Sequence, residues 1–375
     1  MPPIASTANH GRTELIERAA AAESVRELFG NASARLRRLV PFDAAVWLAT
    51  DPATTLPTAP TRAEDMAHFG GKDACARLWE LEFMVADVNP YHELARAPKP
   101  AAALRMVTHD RPARSTRYRE LLQPSGFGDE LRAVMRADGD PWASVTLFRA
   151  AGRPAFDAHE TELLAGLSRP LAEAVRDHAR PAAPVAAIDE PGPGLLLFDP
   201  SGELISMNDE ATGWLDELAG DLGGQCAFGV RLPMVVVSTL MRARANAEER
   251  DHRTARARMR SSSSGRWFVC HASCLRDAAG NIGDTSLVIE PAMAAEIAPI
   301  VTAAYELSLR ERQITELIAL GFATAEMAAR LNLSAHTVRD YVKAIFDKVG
   351  VSSRGELVAK LFAEHYAPAH FDAGN

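Results

Sequence analysis

The sequence predicts a multidomain fold in which two α+β domains precede an all-α domain of four short helices. Three observations predict it. The chain has 375 residues, enough for two or three domains that each bury a core. A proline- and alanine-rich stretch, RPAAPVAA, begins at Arg180 and separates two regions of mixed strand and helix patterns. From Leu307 to His365, four helical patterns follow one another with almost no linker.

Composition limits the function classes. The apolar share of 47% is that of a globular chain, so the composition argues against disorder. The net charge of −8 argues against a protein that coats nucleic acid along its whole surface, so any DNA contact must be a local patch. No apolar run approaches the ~18 residues that span a bilayer, and MPPIASTANHGRTE lacks the core of a signal peptide. We therefore predict a cytoplasmic protein with no membrane partner, whose cysteines are reduced thiols: Cys75, Cys226, Cys270 and Cys274.

The first predicted domain covers residues 1–180. Helical spacing extends to about Pro41, with an interruption at Gly30 and Asn31. A buried strand at 44–49 is followed by DPATTLPTAPTR, which is typical of a turn-rich excursion. The remaining predicted elements are helical pieces at 74–82, 89–96 and 117–122, strands at 130–137 and 142–149, and a closing helix from about His159 to His178.

The second predicted domain, with its linker, covers residues 181–300. Residues 194–199 and 204–208 flank a Pro-Ser-Gly turn and predict a hairpin. Helical patterns follow at about 210–218 and 232–249. Three strands then complete the domain, at 253–260, 266–275 and 285–290.

The third predicted domain, residues 301–375, shows the start and stop signals of helices. Ser308 and Glu311 form a capping box, and Gly321 ends that helix. Thr324 is the expected cap of the second helix. Asn332 and Leu333 make a tight turn, after which Ser334 caps the third helix. Ser353 and Glu356 repeat the capping box for a fourth helix.

The third helix has two distinct faces. Val338, Val342, Ile345 and Val349 lie on one stripe, and Arg339, Asp340 and Lys343 lie opposite. Two cations and one acceptor are groups that read base edges in a major groove. The alternative is a solvated face on a helical bundle. The caps, the turn and the outward residue types together favour a helix-turn-helix.

The segment resembles the LuxR-type (NarL/FixJ-type) helix-turn-helix of bacterial transcription regulators over about sixty residues. This resemblance implies base contacts by Arg339, Asp340 and Lys343. It also implies positions near the DNA backbone for Thr324, Ser334, Thr337, Tyr341, Lys348 and Arg354. Ala323 and Tyr341 depart from the family, where a hydroxyl residue and a histidine are common. The matching residues are Leu307-Ser308-x-Arg310-Glu311, Gly321, Glu326-Met327-Ala328, Leu331, Leu333-Ser334-x-x-Thr337-Val338, Lys348-Val349 and Ser353-Arg354-x-Glu356-Leu357.

The upstream regions resemble sensor domains. Residues 1–180 are similar to a GAF domain in the order of their elements, and AAVWLATDPATTLPT, YRELLQPSGFGDEL and FDAHETELLAGL resemble N-terminal regions of some LuxR-type regulators. Asp199, Gly202, Ile205 and Asn208 resemble the start of a PAS domain. The resemblance implies an α+β GAF-like domain, an α+β PAS-like domain and a C-terminal all-α four-helix LuxR-type domain.

Other chemistry has less support. The alternating arginines of residues 253–260 could form a second nucleic-acid surface, but a solvated sheet face or a partner for acidic groups is the favoured interpretation. Cys270 and Cys274 face one way on a strand and His271 the other, so we expect no metal there. The sequence has no P-loop, GxSxG or HExxH motif, so we expect neither an enzyme nor a cofactor.

The predicted function is transcriptional regulation. The expected partners are double-stranded DNA and a second copy of the chain, with a small-molecule ligand of the sensor domains and RNA polymerase as further candidates. Two alternatives stay open for the upstream domains. They could bind a partner protein instead of a ligand, or, less favoured, they could hold a haem or flavin as a redox sensor.

Overall fold

The structure, a computed structural model, describes residues 4–66, 69, 74–180, 192–218, 223–225, 231–261 and 263–362. It forms two compact units. Unit 1 consists of Met1–Val175 and Pro191–Pro291, and unit 2 consists of Arg176–Glu190 and Ala292–Asn375. Cys226 lies outside the described residues. Among the described helices, none is long and apolar enough to cross a bilayer.

The first part of unit 1 is built on a five-stranded antiparallel sheet with the strand order β2-β1-β5-β4-β3. A 3₁₀ turn at Pro112–Arg114 and a π-helical turn at Tyr118–Leu122 precede β4. In chain order the helices and strands are α1 (Ile4–Ala20), α2 (Val25–Leu39), β1 (Ala44–Thr50), β2 (Pro57–Glu64), α3 (Ala74–Met84), α4 (Tyr91–Leu94), β3 (Ala101–Ala103), α5 (Leu104–Val107), β4 (Phe127–Ala137), β5 (Asp140–Ala150), α6 (Ala158–Gly166) and α7 (Ser168–Asp177).

The strands predicted at 44–49, 130–137 and 142–149 are confirmed, and three other expectations are wrong. The supposed turn-rich excursion contains β2, which pairs with β1 from Ala45↔Glu64 to Leu48↔Thr61. Prolines are tolerated there because β2 is an edge strand. The N-terminal helices separate before Val25, where Ser24 caps α2, and Gly30 lies inside α2. The predicted closing helix is two helices, α6 and α7, that meet at Leu167.

The second part of unit 1 repeats the topology of the first. Its five strands are ordered β10-β11-β12-β6-β7. When the strands of each sheet are numbered in chain order, the first sheet read from β2 and the second read from β7 both give the order second, first, fifth, fourth, third. The elements are β6 (Gly194–Phe198), β7 (Leu204–Met207), α8 (Asp209–Leu218), β8 (Gly223–Gln225), β9 (Arg231–Pro233), α9 (Met234–Ala247), β10 (Arg256–Arg260), β11 (Trp267–Arg276) and β12 (Ile282–Pro291).

The helix α9 packs against both sheets. It is helical despite the β-branched run at 235–237, because nearly its whole surface is buried and packing outweighs local propensity. Trp79 of α3 donates its indole N–H to the sulfur of Met234 at 2.7 Å. The Arg242 guanidinium lies 4.3 Å from the centre of the Phe83 ring. The hydrophobic core is therefore continuous across the two sheets of unit 1.

A buried polar contact accompanies this apolar one. Asp51, at the end of β1, accepts the Arg258 guanidinium at 3.0 Å and the backbone N–H of the same residue at 2.9 Å. Arg242 donates to the Thr54 carbonyl at 2.9 Å and pairs with Asp251 at 3.3 Å. Burial raises the pKa of Asp51, and the Arg258 charge opposes that rise.

Unit 2 is helical. Its core contains Leu307, Ile314, Met327, Val338 and Ile345, each at most 2% exposed. The last turn of α7 enters this unit, since unit 2 begins at Arg176. The five further helices are α10 (Ala294–Ala304), α11 (Leu309–Ala319), α12 (Thr324–Leu331), α13 (Ala335–Val349) and α14 (Arg354–Phe362). The fold class is confirmed: two antiparallel sheets with helices precede a C-terminal helical domain. The GAF-like, PAS-like and helix-turn-helix boundaries at residues 180 and 300 stay a prediction.

Candidate nucleic-acid interface

The helices α12 and α13 form a helix-turn-helix. Asn332 ends α12 in the left-handed conformation, with φ 53° and ψ 47°, a backbone that asparagine adopts more readily than most residues. The Leu333 N–H closes the turn on the Ala328 carbonyl at 2.9 Å. Ser334 then caps α13, as predicted, by accepting the Thr337 N–H at 3.0 Å. The chain therefore turns sharply between two helices that share one core.

Two predicted caps need correction. Thr324 is the first residue of α12 and does not cap it, because the cap position is Ala323, whose methyl group accepts no hydrogen bond. Glu326 compensates by accepting the Ala323 N–H at 2.6 Å. At α14, Ser353 accepts the Glu356 N–H at 3.1 Å as expected. The Glu356 carboxylate, however, accepts from the Ser352 N–H, one residue before the expected position.

The two faces of α13 are as the sequence predicted. Val338, Ile345 and Val349 are at most 2% exposed and lie in the core. Arg339, Asp340 and Lys343 are all exposed. The apolar face fixes the helix to α11 and α12, so the polar face is presented on a rigid element. Contact between these three side chains and base edges stays a prediction.

Sequence reasoning missed His336. Its Nδ1 lies 3.3 Å from Oδ2 of Asp340, and both side chains are well exposed. The signal was present, since residues four apart share a helix face. His336 therefore continues the exposed strip of Arg339, Asp340 and Lys343 toward the start of α13.

The predicted backbone-contacting residues have different environments. Ser334 and Thr337 lie at the start of α13, with their hydroxyl oxygens 2.8 Å apart, and the positive end of the helix dipole there favours an anion. Arg354 donates to the Thr324 hydroxyl at 2.8 Å and to the Phe322 carbonyl at 3.2 Å. It therefore ties α14 to the loop before α12.

Tyr341 and Lys348 also contact the protein itself. Tyr341 is half-buried against the core. Lys348 donates to Glu311 at 2.7 Å and to the Glu306 carbonyl at 3.1 Å. Burial alone would raise the pKa of Glu311, but hydrogen bonds from Lys348 and Ser308 outweigh it and lower that pKa. Lys348 therefore stabilises the junction of α10, α11 and α13 in the free protein.

That junction has a left-handed residue at its centre. Glu306 has φ 58°. Its carboxylate accepts Arg176 from the last turn of α7 at 2.6 Å. Arg176 is only 4% exposed, so this pair is shielded on one side from solvent. The stretch 176–180 is thus an integral part of unit 2.

Charge is unevenly distributed along the chain. Residues 305–361 carry eight arginine and lysine residues against seven acidic ones, whereas the whole chain has a net charge of −8. The acidic excess therefore lies outside this segment. The exposed cations of α13 therefore lie in a nearly neutral segment of an otherwise acidic chain, as expected if DNA contact is confined to a local patch.

The other sequence candidates have structural explanations. Arg258 of the arginine row pairs with buried Asp51, and Arg253 pairs with Asp251 at 2.6 Å. This row therefore serves the internal contacts of unit 1. Cys270 is buried and His271 is exposed on the opposite face of β11. Within the described part of the chain, no three histidine, cysteine or acidic side chains converge as metal ligands.

Comparison with known families finds a match for the C-terminal helices, residues 305–361. Residues 305–361 match the family described as "Bacterial regulatory proteins, luxR family". The transcriptional regulatory protein UhpA of Escherichia coli is 43% identical over 56 residues, which cover 15% of this chain and 29% of UhpA. The probable transcriptional regulatory protein SgaR of Hyphomicrobium methylovorum is 40% identical over 53 residues, 14% of this chain and 25% of SgaR. The matched segment thus spans less than a third of either relative.

Solved structures resemble the chain only distantly. Escherichia coli SdiA is 10% identical with a TM-score of 0.35, covering 94% of this chain and 97% of SdiA. A GAF domain from a Coxiella burnetii phosphoenolpyruvate-protein phosphotransferase is 13% identical with a TM-score of 0.30, covering 46% of this chain and 95% of that domain. Vibrio cholerae VqmA bound to DNA and ligand is 18% identical with a TM-score of 0.21, covering 47% of this chain and 84% of VqmA.

Proposed function

We propose, on the premise that residues 305–361 are a LuxR-family helix-turn-helix domain, that this chain is a sequence-specific DNA-binding transcriptional regulator of the cytoplasm. The observation that carries the proposal is the exposed strip of Arg339, Asp340 and Lys343. It stands on a helix anchored by its opposite face, directly after the left-handed turn at Asn332. No catalytic role is proposed.

The strip suits the major groove. Arginine and lysine donate to guanine O6 and N7, and aspartate accepts from the cytosine amino group. One head offers few base contacts, and specific sites need more binding free energy than these supply. We therefore propose that two copies bind two half-sites about one helical turn, ~10 base pairs, apart.

Unit 1 is the proposed input. Its two sheets share one core and a buried ion pair, so a conformational change in one sheet should be transmitted to the other. A ligand or partner that prefers one conformation of this body would shift the population in which two heads are correctly placed. An open cleft in unit 1, lined by polar and apolar residues, is the candidate position for a small molecule as that input. RNA polymerase stays a predicted further partner.

The test is selection of duplex DNA by the purified full chain. We expect a pool of random duplexes to converge on a sequence with two related half-sites. Mass photometry on the selected duplex should show two protein copies. Convergence on no sequence in low salt would contradict the proposal.

The matched control separates base reading from charge. The double variant Arg339→Ala, Lys343→Ala should lose selection. Arg169→Ala removes a cation from an exposed ion pair on α7 and should leave selection unchanged. Equal losses in both variants would indicate non-specific charge attraction.

A further inference from the structure

A cleft in unit 1 lies where an edge strand of each sheet faces the other. The strands are β2 of the first sheet and β10 of the second. The cleft has a volume of about 560 Å³, which includes open solvent. Its polar lining includes Arg26, Thr58, Thr61, Glu217 and Ser261, and Met234 lies among its apolar lining.

Two threonine residues of the lining, Thr58 and Thr61, are nearly buried. Thr58 and Thr61 are each 6% exposed. Within the described residues, neither side-chain hydroxyl makes a hydrogen bond to protein. Since both residues line the open cleft, a bound molecule could accept or donate hydrogen bonds at these hydroxyls in place of solvent.

The start of α9 adds a preference for negative charge. This helix of 14 residues begins at Met234, after Pro233, and no side chain caps it. Its first turn contains no acidic residue. Pro233, Met234 and Val235 all line the cleft, so the positive end of the helix dipole lies at its wall. Arg26, which has an interaction of its own within the protein, also lines the cleft, and the start of α9 favours a carboxylate.

Glu217 gives the cleft a charge of the opposite sign. It is in the last turn of α8 and accepts a hydrogen bond from the Ser264 hydroxyl through Oε1. A ligand with only an anionic group would be repelled by this carboxylate. A ligand that also has an ammonium group would be attracted by it.

We propose that this cleft binds a small zwitterion of the amino-acid class. Its carboxylate lies at the start of α9 with Arg26 and the two threonine hydroxyls, and its ammonium group lies at Glu217. Binding would fill the space between the facing edges of the two sheets. Its role as the regulatory input rests on the proposed function, whereas the binding itself does not.

The experiment is isothermal titration of the full chain, without DNA, with the common free amino acids. Each amino acid is compared with the matching amine and the matching carboxylic acid. We expect at least one amino acid to bind with a Kd near or below about 1 mM, and both matched compounds to bind ~10-fold or more weakly. Binding by no amino acid, or equal binding by the matched compounds, would overturn the proposal.

Variants locate the site. Thr58→Val and Thr61→Val remove a hydroxyl at nearly constant volume, and Arg26→Gln and Glu217→Gln remove one charge each. Each should weaken binding ~10-fold, and circular dichroism should show that each variant is folded. Thr116→Val, a hydroxyl of unit 1 outside the cleft, is the control. Affinity that none of the four variants alters would place the ligand elsewhere and overturn the proposal.

A DNA arm separates the two hypotheses. If the full chain binds the amino acid but selects no DNA, the proposed function fails and the binding site stands. If the bound amino acid changes operator affinity, and Glu217→Gln abolishes that change, the cleft is the input site of the regulator.

Discussion

Asp51 and Arg258 form an ion pair that joins the two sheets of unit 1. Arg258 Nη1 lies 3.0 Å from Oδ2 and 3.2 Å from Oδ1 of Asp51, and the Asp51 side chain is fully buried. The same turn is held at Thr54 by Arg242, which is 1% exposed. Arg258 and Arg242, from the second part of unit 1, thus both bind the turn at residues 51–54 that follows β1.

Removing one member of this pair should destabilise unit 1. Arg258→Ala leaves the Asp51 carboxylate buried without its cation, so we expect a loss of ~3–5 kcal/mol in the free energy of unfolding. Urea denaturation followed by tryptophan fluorescence measures it, since Trp47 and Trp79 are buried in unit 1. Arg153→Ala breaks the exposed pair with Asp43 and should cost no more than ~1 kcal/mol. Similar losses of unfolding free energy in both variants would show that the buried pair contributes no more stability than the exposed one.

Arg339→Ala should affect sequence preference more than general affinity. We expect a cost of ~1–3 kcal/mol at the selected operator and relaxed preference at one base pair, because a bidentate donor to guanine is lost. Fluorescence anisotropy with single-base-pair variants of the operator measures this. Uniform weakening across all the variants would place Arg339 on the phosphate backbone.

Lys348→Ala tests a residue with two roles. If Lys348 contacts a phosphate, its loss should weaken binding on all sequences and flatten the slope of log K against log salt by about one. Glu311→Gln is the matched control, because it weakens the internal pair but keeps the lysine cation. An unchanged slope in Lys348→Ala would confine Lys348 to its internal role.

Acid should destabilise unit 2 through Glu311. The pKa of Glu311 is lowered in the folded chain, so this group contributes stability above its ordinary pKa of 4.5. That contribution is lost as pH falls below 4.5 through the lower folded value, because the unfolded chain then binds the proton more readily. Thermal unfolding followed by far-ultraviolet circular dichroism at pH 3 to 7 should show a steeper acid loss in the native chain than in Glu311→Gln. Parallel curves would contradict this role.

The helix-turn-helix was readable from the sequence because its signals are local. Ser308, Ser334 and Gly321 act within one turn of the helix they begin or end, and the outward face of α13 follows from helical spacing alone. The cap at Thr324 was misplaced by one residue. The cap position lies one residue earlier and is occupied by Ala323, whose N–H donates to the Glu326 carboxylate. No local rule ranks this arrangement against a cap by the Thr324 hydroxyl.

The pairing of the two sheets was not readable. Asp51 and Arg258 are 207 residues apart, and nothing near Asp51 indicates which cation it meets. The alternating arginines of β10 indicate a strand with one polar face, but not that this face meets a buried carboxylate. The strand β2 was missed for a related reason. Prolines indicate turns in isolation, and only its pairing with β1 makes it a strand.

Unit 2 is formed by two separate segments of the chain, and this limits how the helix-turn-helix domain could be fused to another protein. Unit 2 consists of Arg176–Glu190 and Ala292–Asn375, and Pro191–Pro291, which lies between them in the chain, belongs to unit 1. A graft that began at residue 301 would omit Arg176, which holds Glu306, and Arg180, which donates to the Ala304 carbonyl. A hybrid regulator that keeps these two contacts must therefore include both segments of unit 2.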